Sequence, residues 1–184
     1  HWKNSELPDE LDRLRGNTGA SGGGHTEWQV NLDIANKTAE ILRKQGITVD
    51  ILPATIPEKY WADAFVAIHA DGNLDTTVTG FKISPPRRDY SGSAQTLSDA
   101  VYSTYESATN LSRDPNISNN MRGYYAFSWR RFAHAIHPMT PGIIVETGFL
   151  TNPVDRRTIV AASGKSAQGI AQGIINFLAQ KKLI

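Results

Sequence analysis

Two apolar runs of this chain each end on a side chain that could take part in hydrolytic or metal chemistry. Residues 64–68 lead into His69, and residues 142–145 lead into Glu146. Alternate residues of a strand face opposite sides of a sheet, so a strand fixes the direction of its last side chain. In open α/β sheets, ligands bind at the carboxyl ends of the strands. An imidazole and a carboxylate at two strand ends therefore predict a site at one edge of a sheet.

Further metal-binding residue types lie in the first part of the chain. Glu27 stands just before the first predicted helix, and His1 and His25 come before it. Zinc binds imidazole nitrogen and carboxylate oxygen, and catalytic zinc sites keep one position open for water. We predict Glu27 and His69 as ligands, with His1 or His25 as the other imidazole. Glu146 would then be the general base that acts on the water.

The same residues also have plain structural interpretations. A carboxylate such as Glu27 is favoured at a helix start by the helix dipole. A histidine at the end of an apolar strand is often a hydrogen-bonded structural residue, which applies to His69. Glu146 follows four apolar residues, where an unpaired charge is costly, so it could form a buried salt bridge with an arginine. The residues alone leave these alternatives open.

Composition indicates a globular enzyme-sized domain and excludes several classes of function. The 184 residues are 40% hydrophobic and 20% charged, with a formal net charge of +1, so no strong field favours nucleic acid or an anionic membrane. There is no cysteine, which excludes disulfides, thiolate catalysis and cysteine-based zinc sites. No apolar stretch reaches the roughly 20 residues that a membrane span needs.

Alternating helix and strand patterns predict an α/β fold with a single domain. We expect a mostly parallel twisted sheet with helices on both faces. Residues 1–24 are predicted as a loop, since they are polar and glycine-rich without a sustained period. The predicted strands are residues 47–52, 64–68, 80–84 and 142–146. The predicted helices are residues 30–45, 91–110 and 166–181, with a short helix opened by Pro153.

Three segments of the chain resemble the Amidase_3 type of N-acetylmuramoyl-L-alanine amidase. They are residues 27–32 (EWQVNL), 65–71 (FVAIHAD) and 144–152 (IVETGFLTN). The resemblance implies the zinc amidase/phosphorylase-like α/β fold with one Zn2+. It also implies hydrolysis of the amide bond between N-acetylmuramic acid and L-alanine of the peptidoglycan stem peptide. By position, Glu27 and His69 match zinc ligands of the family, and Glu146 matches its catalytic glutamate.

The family's first zinc histidine follows a strand and a glycine, and His1 falls at its place in the chain. The resemblance thus implies His1 as the remaining ligand, with His25 as the alternative. The strand expected before that histidine is absent from the sequence. We therefore expect residues 1–184 to be one zinc-dependent amidase catalytic domain that lacks its first strand before residue 1. Two explanations stay open: the chain is a fragment of a longer one, or His1 is a new N-terminus made by processing.

Several other side chains are candidates for supporting roles. Asp71 is predicted either to orient His69 or to begin a turn. Arg130 and Arg131 could pair with Glu146 or with Asp155. Five side chains are candidates for contact with the substrate or for ordinary packing: Arg122, Tyr124, Tyr125, His134 and His137.

The resemblance implies peptidoglycan as the partner and an extracytoplasmic location. We expect a monomer with no nucleic-acid partner and no membrane span, and a wall-binding or activator partner stays open. The alternative function is a catalytically silent peptidoglycan-binding module on the same fold. A third alternative, copper bound by the amine and imidazole of His1, would suit an all-β scaffold better than this one.

Overall fold

A computed structural model describes residues 18–184 of the protein. Its strands and α-helices, in chain order, are β1 (Ser21–Gly22), β2 (His25–Thr26), α1 (Glu27–Lys44), β3 (Phe65–Asp71), β4 (Lys82–Ser84), α2 (Ala94–Thr109), α3 (Asn119–Arg122), β5 (Gly142–Phe149), α4 (Pro153–Arg156) and α5 (Ser163–Gln180). A 3₁₀ turn at Tyr125–Phe127 follows α3, and a π turn at Arg157–Ala161 precedes α5.

β5 is the middle strand of the main sheet. The strand order is β3-β5-β4, and β1 and β2 form a separate hairpin. β3 pairs with β5 in parallel, with Phe65 opposite Gly142 and His69 opposite Glu146. β4 pairs with the other edge of β5 in the antiparallel sense, with Lys82 opposite Glu146. The longer ladder is thus parallel, and the α/β class predicted from the sequence is confirmed.

The two faces of the sheet are covered by helices of very different length. Ile83, Ile143 and Val145 point into the main core, which is closed by residues of α1, α2 and α5. Ala67 and Ile144 point to the opposite face, where Met121 of α3 covers them. Helices lie on both faces, as predicted, but the three long ones share one face. The face under α3 also carries His69 and Glu146, because side chains alternate along a strand.

Helix α1 forms where the apolar spacing predicts it. Val30, Ile34 and Leu42 are buried at intervals that place them on one side of the helix. The side chain of Gln29 accepts hydrogen bonds from the N–H and hydroxyl of Thr26, at 3.3 and 2.7 Å, which closes the helix start. α1 ends before Gly46, whose φ of +78° suits glycine.

The predicted strand at residues 47–52 is wrong. These residues have no regular secondary structure and belong to no ladder of residues 18–184. A β-branched run makes a strand only when a neighbouring strand satisfies its backbone, and the described part of the chain places none beside it. The other predicted boundaries of helices and strands differ from the observed ones by a few residues. β5 continues past Glu146 to Phe149, and the first loop contains the β1–β2 hairpin.

No helix within residues 18–184 combines the length and apolar character needed to cross a membrane.

Candidate active site

Glu27 and His69 are in direct contact, although they are 42 residues apart in the sequence. Glu27 is the first residue of α1, and His69 lies near the carboxyl end of β3. Nδ1 of His69 lies 2.8 Å from Oε1 of Glu27. Both side chains are largely buried, with 14% and 12% of their surface exposed. The structure therefore brings together the two described residues that were predicted as metal ligands.

The Glu27 carboxylate is fixed by the loop that precedes α1. The N–H of Ala20 donates to Oε2 at 2.9 Å, and the amide of Asn31 donates to Oε1 at 3.4 Å. Gly19 has a φ of +77°, and a Cβ at this position would overlap the carboxylate. Burial acts to raise the pKa of Glu27, but the His69 ring and the backbone donor together hold it below its usual value.

His69 also contacts a tyrosine from the opposite side. Nε2 of His69 lies 3.3 Å from the hydroxyl of Tyr124, whose ring meets the imidazole edge to face. The hydroxyl of Thr147 donates to the His69 carbonyl at 2.8 Å, which ties β3 to β5 at this point. Burial acts to lower the pKa of His69, but the Glu27 contact and the charge of Glu146 raise it overall.

Glu146 lies beside His69 in the sheet, on the same face. The two residues are register partners on adjacent parallel strands. Oε2 of Glu146 is buried and has no hydrogen-bond partner. Burial, reinforced by the charges of Asp71 and Glu27, raises the pKa of Glu146 to about 7, against the opposing effect of His69 and Lys82. Within residues 18–184 no arginine pairs with Glu146, so the salt-bridge interpretation is wrong.

A buried lysine occupies the other side of Glu146. Lys82 is its register partner on β4, but its Nζ turns to Asp71 at 2.6 Å and to Asp114 at 2.8 Å. Oδ1 of Asp71 also accepts the N–H of Gly72, at 2.8 Å. Asp71 thus begins a turn and holds Lys82, and it makes no hydrogen bond to His69. The network keeps a positive charge close to Glu146 without neutralising it through a direct bond.

The remaining predicted metal ligands are placed differently. His1 lies outside the described residues. His25 is exposed on β2, and no polar contact joins it to Glu27 or His69. Among residues 18–184 there is no cluster of three or more histidine, aspartate or glutamate side chains that could hold a metal ion.

The predicted supporting residues mostly have structural roles. His134 Nδ1 lies 2.8 Å from the Ile56 carbonyl, and the His137 ring packs on Trp61 at 4.4 Å. The guanidinium of Arg130 lies over Tyr90 and Trp129, and that of Arg131 lies over Phe132. The predicted ion pairs of these arginines are wrong. Asp155 instead accepts the N–H groups of Gly80 and Phe149, at 3.0 and 2.8 Å.

Sequence reasoning missed the Lys82 network and gave Tyr124 no contact with His69. A lysine among apolar residues of a short strand, in FKIS, is a signal that could have identified Lys82, because a buried lysine needs partners. Tyr124 lies 55 residues from His69 in a segment without regular periodicity. The sequence carries no signal for that contact.

The donor atoms that do meet suit zinc in type but not in number. One imidazole and one carboxylate touch, and the buried Oε2 of Glu146 beside them has no partner. Zinc takes nitrogen and oxygen donors of this kind, and its catalytic sites use three protein ligands. The described residues provide two, and His1, the expected third, lies outside them.

One groove borders this site, and a second is lined by neighbours of Tyr124. The larger, of about 850 Å³, runs along β3 and ends at His69 and Tyr124. The smaller, of about 510 Å³, lies against Gly123 and Phe127. Its lining includes five exposed arginines, none of them in an ion pair within the described residues: Arg87, Arg88, Arg122, Arg130 and Arg131.

Comparison with known sequences points to one family. The family model described as N-acetylmuramoyl-L-alanine amidase, Amidase_3, matches residues 13–176. The N-acetylmuramoyl-L-alanine amidase AmiA of Escherichia coli is 28% identical over 207 aligned residues, which cover 87% of this chain and 71% of that protein. The amidase LytC of Bacillus subtilis is 25% identical over 175 residues, covering 87% of this chain and 33% of that protein.

Solved structures agree with the sequence comparison. An N-acetylmuramoyl-L-alanine amidase of Clostridium difficile 630 is 26% identical and superposes with a TM-score of 0.67, covering 90% of this chain and 92% of that one. The catalytic domain of the amidase CwlV of Bacillus (Paenibacillus) polymyxa superposes with a TM-score of 0.66 at 22% identity, covering 88% and 91%. With the family match spanning most of its length, this chain belongs to the N-acetylmuramoyl-L-alanine amidase family.

Proposed function

We propose that this chain is a zinc-dependent peptidoglycan amidase. It would hydrolyse the amide bond between N-acetylmuramic acid and the L-alanine of the stem peptide, outside the cytoplasm. The observation that carries the proposal is the unpartnered Oε2 of Glu146 beside the Glu27–His69 pair. A buried carboxylate without a partner is costly in a purely structural role and useful as a general base.

Glu27, His69 and, by the family resemblance, His1 would hold the zinc ion. When bound, zinc supplies a Lewis acid that polarises the amide carbonyl and makes water more acidic. The loop at Gly19 and Ala20 fixes the Glu27 carboxylate in position. These contacts restrict the orientations that the carboxylate can adopt when the metal binds.

Glu146 would carry the proton through the reaction. It removes a proton from water as the water oxygen attacks the carbonyl carbon of the lactyl amide. It then returns that proton to the alanine nitrogen as the C–N bond breaks. The second proton of the water, left on the new carboxyl group, passes to the amine, so the products are a carboxylate on the muramic acid and a protonated amine on the peptide. A pKa raised by burial supports both transfers, because proton exchange is efficient when the pKa of the catalytic group lies near the working pH.

Tyr124 would position His69 and border the substrate. Its hydroxyl would donate to a substrate oxygen once a metal binds the imidazole. The arginine-lined groove next to it suits the carboxylates of the stem peptide, since guanidinium groups bind carboxylates with two parallel hydrogen bonds. This is the surface on which we expect the peptide to lie.

Digestion of purified peptidoglycan tests the proposal. Mass spectrometry of the soluble products should show stem peptides with a free N-terminal alanine for the wild type. A zinc chelator should abolish their release, and added zinc should restore it. Glu146→Gln should release none, whereas Glu58→Gln, at an exposed site, should match the wild type. Zinc and peptidoglycan binding without release by the wild type would instead support the silent module.

A further inference from the structure

Positive charge is concentrated in the smaller groove, although the whole chain has a formal net charge of only +1. Five arginines line this groove, and no aspartate or glutamate is among its lining residues. Asp89, which follows Arg88 in the chain, accepts the N–H groups of Ser91 and Ala94 at the start of α2, at 2.9 and 2.8 Å. The acidic residue that is nearest in sequence therefore binds backbone groups and neutralises none of the arginines.

The few contacts of these arginines leave most of their N–H donors available. Arg87 gives one N–H to Oδ1 of Asn119 at 2.8 Å, and its backbone N–H donates to the Arg122 carbonyl at 2.9 Å. These two bonds hold the loop at Arg87 against α3. Within residues 18–184, the side chains of Arg88 and Arg122 make no hydrogen bond or ion pair. Guanidinium groups in such a setting can bind an anionic ligand without first breaking an ion pair.

Two exposed rings lie beside another arginine of the groove. The guanidinium of Arg130 lies 5.5 Å from the ring of Tyr90 and 5.1 Å from that of Trp129. The two rings, which are 41 and 36% exposed, meet edge to face. A guanidinium stacked on a ring keeps its N–H groups in its own plane, so it can still bind a carboxylate. The groove therefore combines positioned cationic donors with apolar surface, which suits an anionic organic ligand.

Tyr124 connects this groove with the candidate active site. Gly123 and Phe127 line the groove, and the Tyr124 hydroxyl lies 3.3 Å from Nε2 of His69. The rings of Tyr124 and Phe127 are 5.7 Å apart. A peptide that leaves His69 past Tyr124 would therefore bring the residues after its first alanine to the arginines.

We propose, on the basis of the proposed amidase function, that this groove selects stem peptides with free carboxylates over stem peptides in which those groups are amidated. The second residue of a stem peptide carries an α-carboxyl group that some cell walls convert to an amide. The third residue is in many walls a diamino diacid with a further carboxyl group.

Amidation changes what a guanidinium group meets. A carboxylate accepts two parallel N–H bonds from one arginine, whereas a carboxamide has one acceptor oxygen and an NH₂ group that is itself a donor. Each amidation thus removes an ion pair and places donor against donor. Phosphate polymers would also be attracted by the arginines, but only the stem peptide is brought to the groove by its own scissile bond.

Binding of a released stem peptide tests the selection without reference to catalysis. The first probe is the tripeptide of L-alanine, γ-linked D-glutamate and meso-diaminopimelate. The second is the same tripeptide with the glutamate α-carboxyl and the diaminopimelate side-chain carboxyl amidated. Calorimetry on the full chain with zinc should give a Kd for the acid peptide roughly tenfold or more below that for the diamide. This preference should shrink at high salt, because exposed ion pairs are screened.

Arginine variants show whether the groove makes the selection. Arg122→Gln should weaken binding of the acid peptide about tenfold and change binding of the diamide by less than about twofold. Arg88→Gln should act in the same direction, and it is the second variant if Arg122→Gln fails to fold. Arg157→Gln is the matched control, because it removes an exposed arginine outside the groove, and it should change neither Kd.

Several outcomes would overturn the proposal. One is an equal Kd for the two peptides, and another is an equal weakening of both peptides in Arg122→Gln and Arg88→Gln. Binding of polyphosphate without any preference between the two peptides would assign the arginines to a phosphate polymer instead.

Hydrolysis of the corresponding muramyl peptides separates this proposal from that of the amidase. Equal kcat/KM values for the acid and amidated muramyl peptides would overturn the selection and leave the amidase proposal standing. Preferred binding of the acid peptide, with neither muramyl peptide hydrolysed, would support the selection and overturn the amidase.

Discussion

At the scale of a single residue, the buried Oε2 of Glu146 distinguishes the proposed catalytic role from a purely structural one. In the wild type, this carboxylate has no bond to satisfy it, so replacing it should cost little stability. We expect Glu146→Gln to reduce hydrolysis by about 10²–10⁴, the usual effect of losing a general base. The measurement is the rate of stem-peptide release, with zinc content by atomic spectrometry.

The variant His69→Ala is the control for Glu146→Gln. His69→Ala should lose both zinc and hydrolysis, whereas Glu146→Gln should keep its zinc. Retained zinc in His69→Ala would remove this histidine from the ligand set.

The loop before α1 offers a second test at the residue scale. Gly19 and Gly24 both have a positive φ, +77 and +82°, so alanine is strained at either position. Only at Gly19 would the new Cβ overlap the Glu27 carboxylate, and nothing lies within 4 Å of a Cβ at Gly24. Gly19→Ala should therefore lower zinc affinity and activity well beyond Gly24→Ala. Equal losses in the two variants, measured by zinc titration, would mean that loop strain alone is responsible.

Most of the site could be predicted from residue types and strand ends. Glu27, His69 and Glu146 meet because a helix start and two parallel strand ends converge, and parallel strands bring their carboxyl ends to the same edge. The contact of Tyr124 with His69 could not be predicted. It depends on how an irregular segment folds back over the sheet, which no local periodicity encodes.

At the scale of elements, α2 and α5 pack with unusually little space between them. A Cβ at Gly173 would lie 2.6 Å from the Cα of Val101, and one at Gly164 would meet nothing within 4 Å. Gly173→Ala should lower the free energy of unfolding by about 1–3 kcal/mol through overpacking. Gly164→Ala, near the start of the same helix, should be neutral or slightly stabilising. Equal denaturation midpoints for the two variants would contradict this close packing.

The Lys82 network predicts how stability depends on pH. Burial acts to raise the pKa of Asp114, but the Lys82 contact holds it below its usual value. The ionised Asp114 therefore contributes fully to the free energy of unfolding above its pKa in the unfolded state, about 3.9. That contribution is lost as the pH falls through its pKa in the folded state, which is lower. Asp114→Asn should lower the free energy of unfolding by about 1–3 kcal/mol at neutral pH. That difference should shrink below about pH 4.

Asp63→Asn, at an exposed site, is the control for the pH series. A constant difference between Asp114→Asn and the wild type across the acid range would show that the Lys82 contact does not shift the titration of Asp114.

The elements also show where sequence patterns fail. The apolar spacing of α1, α2 and α5 predicted all three helices, because each buries one face in the main core. Residues 47–52 have a strand-like composition but no ladder. Composition reports that a segment would suit a sheet, and the presence of a partner decides whether it joins one.

At the scale of the whole molecule, a bound metal would join parts of the chain that are distant in sequence. If zinc binds the folded state at a concentration one hundredfold above its Kd, stability should rise by about 2.7 kcal/mol. For a domain of this size the melting temperature would then rise by about 5–10 °C. Thermal denaturation in the presence of zinc and in the presence of a chelator measures this rise in melting temperature. Glu146→Gln should keep the shift and His69→Ala should lose it, and an unchanged shift in His69→Ala would contradict the proposed ligand set.

The order β3-β5-β4 has a consequence for synthesis on the ribosome. β3 and β4 are made first, but the strand that pairs with both of them ends only at Phe149. Until those residues emerge, the apolar β3 segment and the short strand β4 have no strand to pair with, and long-range pairing of this kind is slow and prone to aggregation. The nascent chain would therefore expose the β3 segment while the 78 residues from 72 to 149 are made. Chaperones that bind short apolar segments would therefore bind the β3 segment before β5 is made and the site at His69 and Glu146 can form.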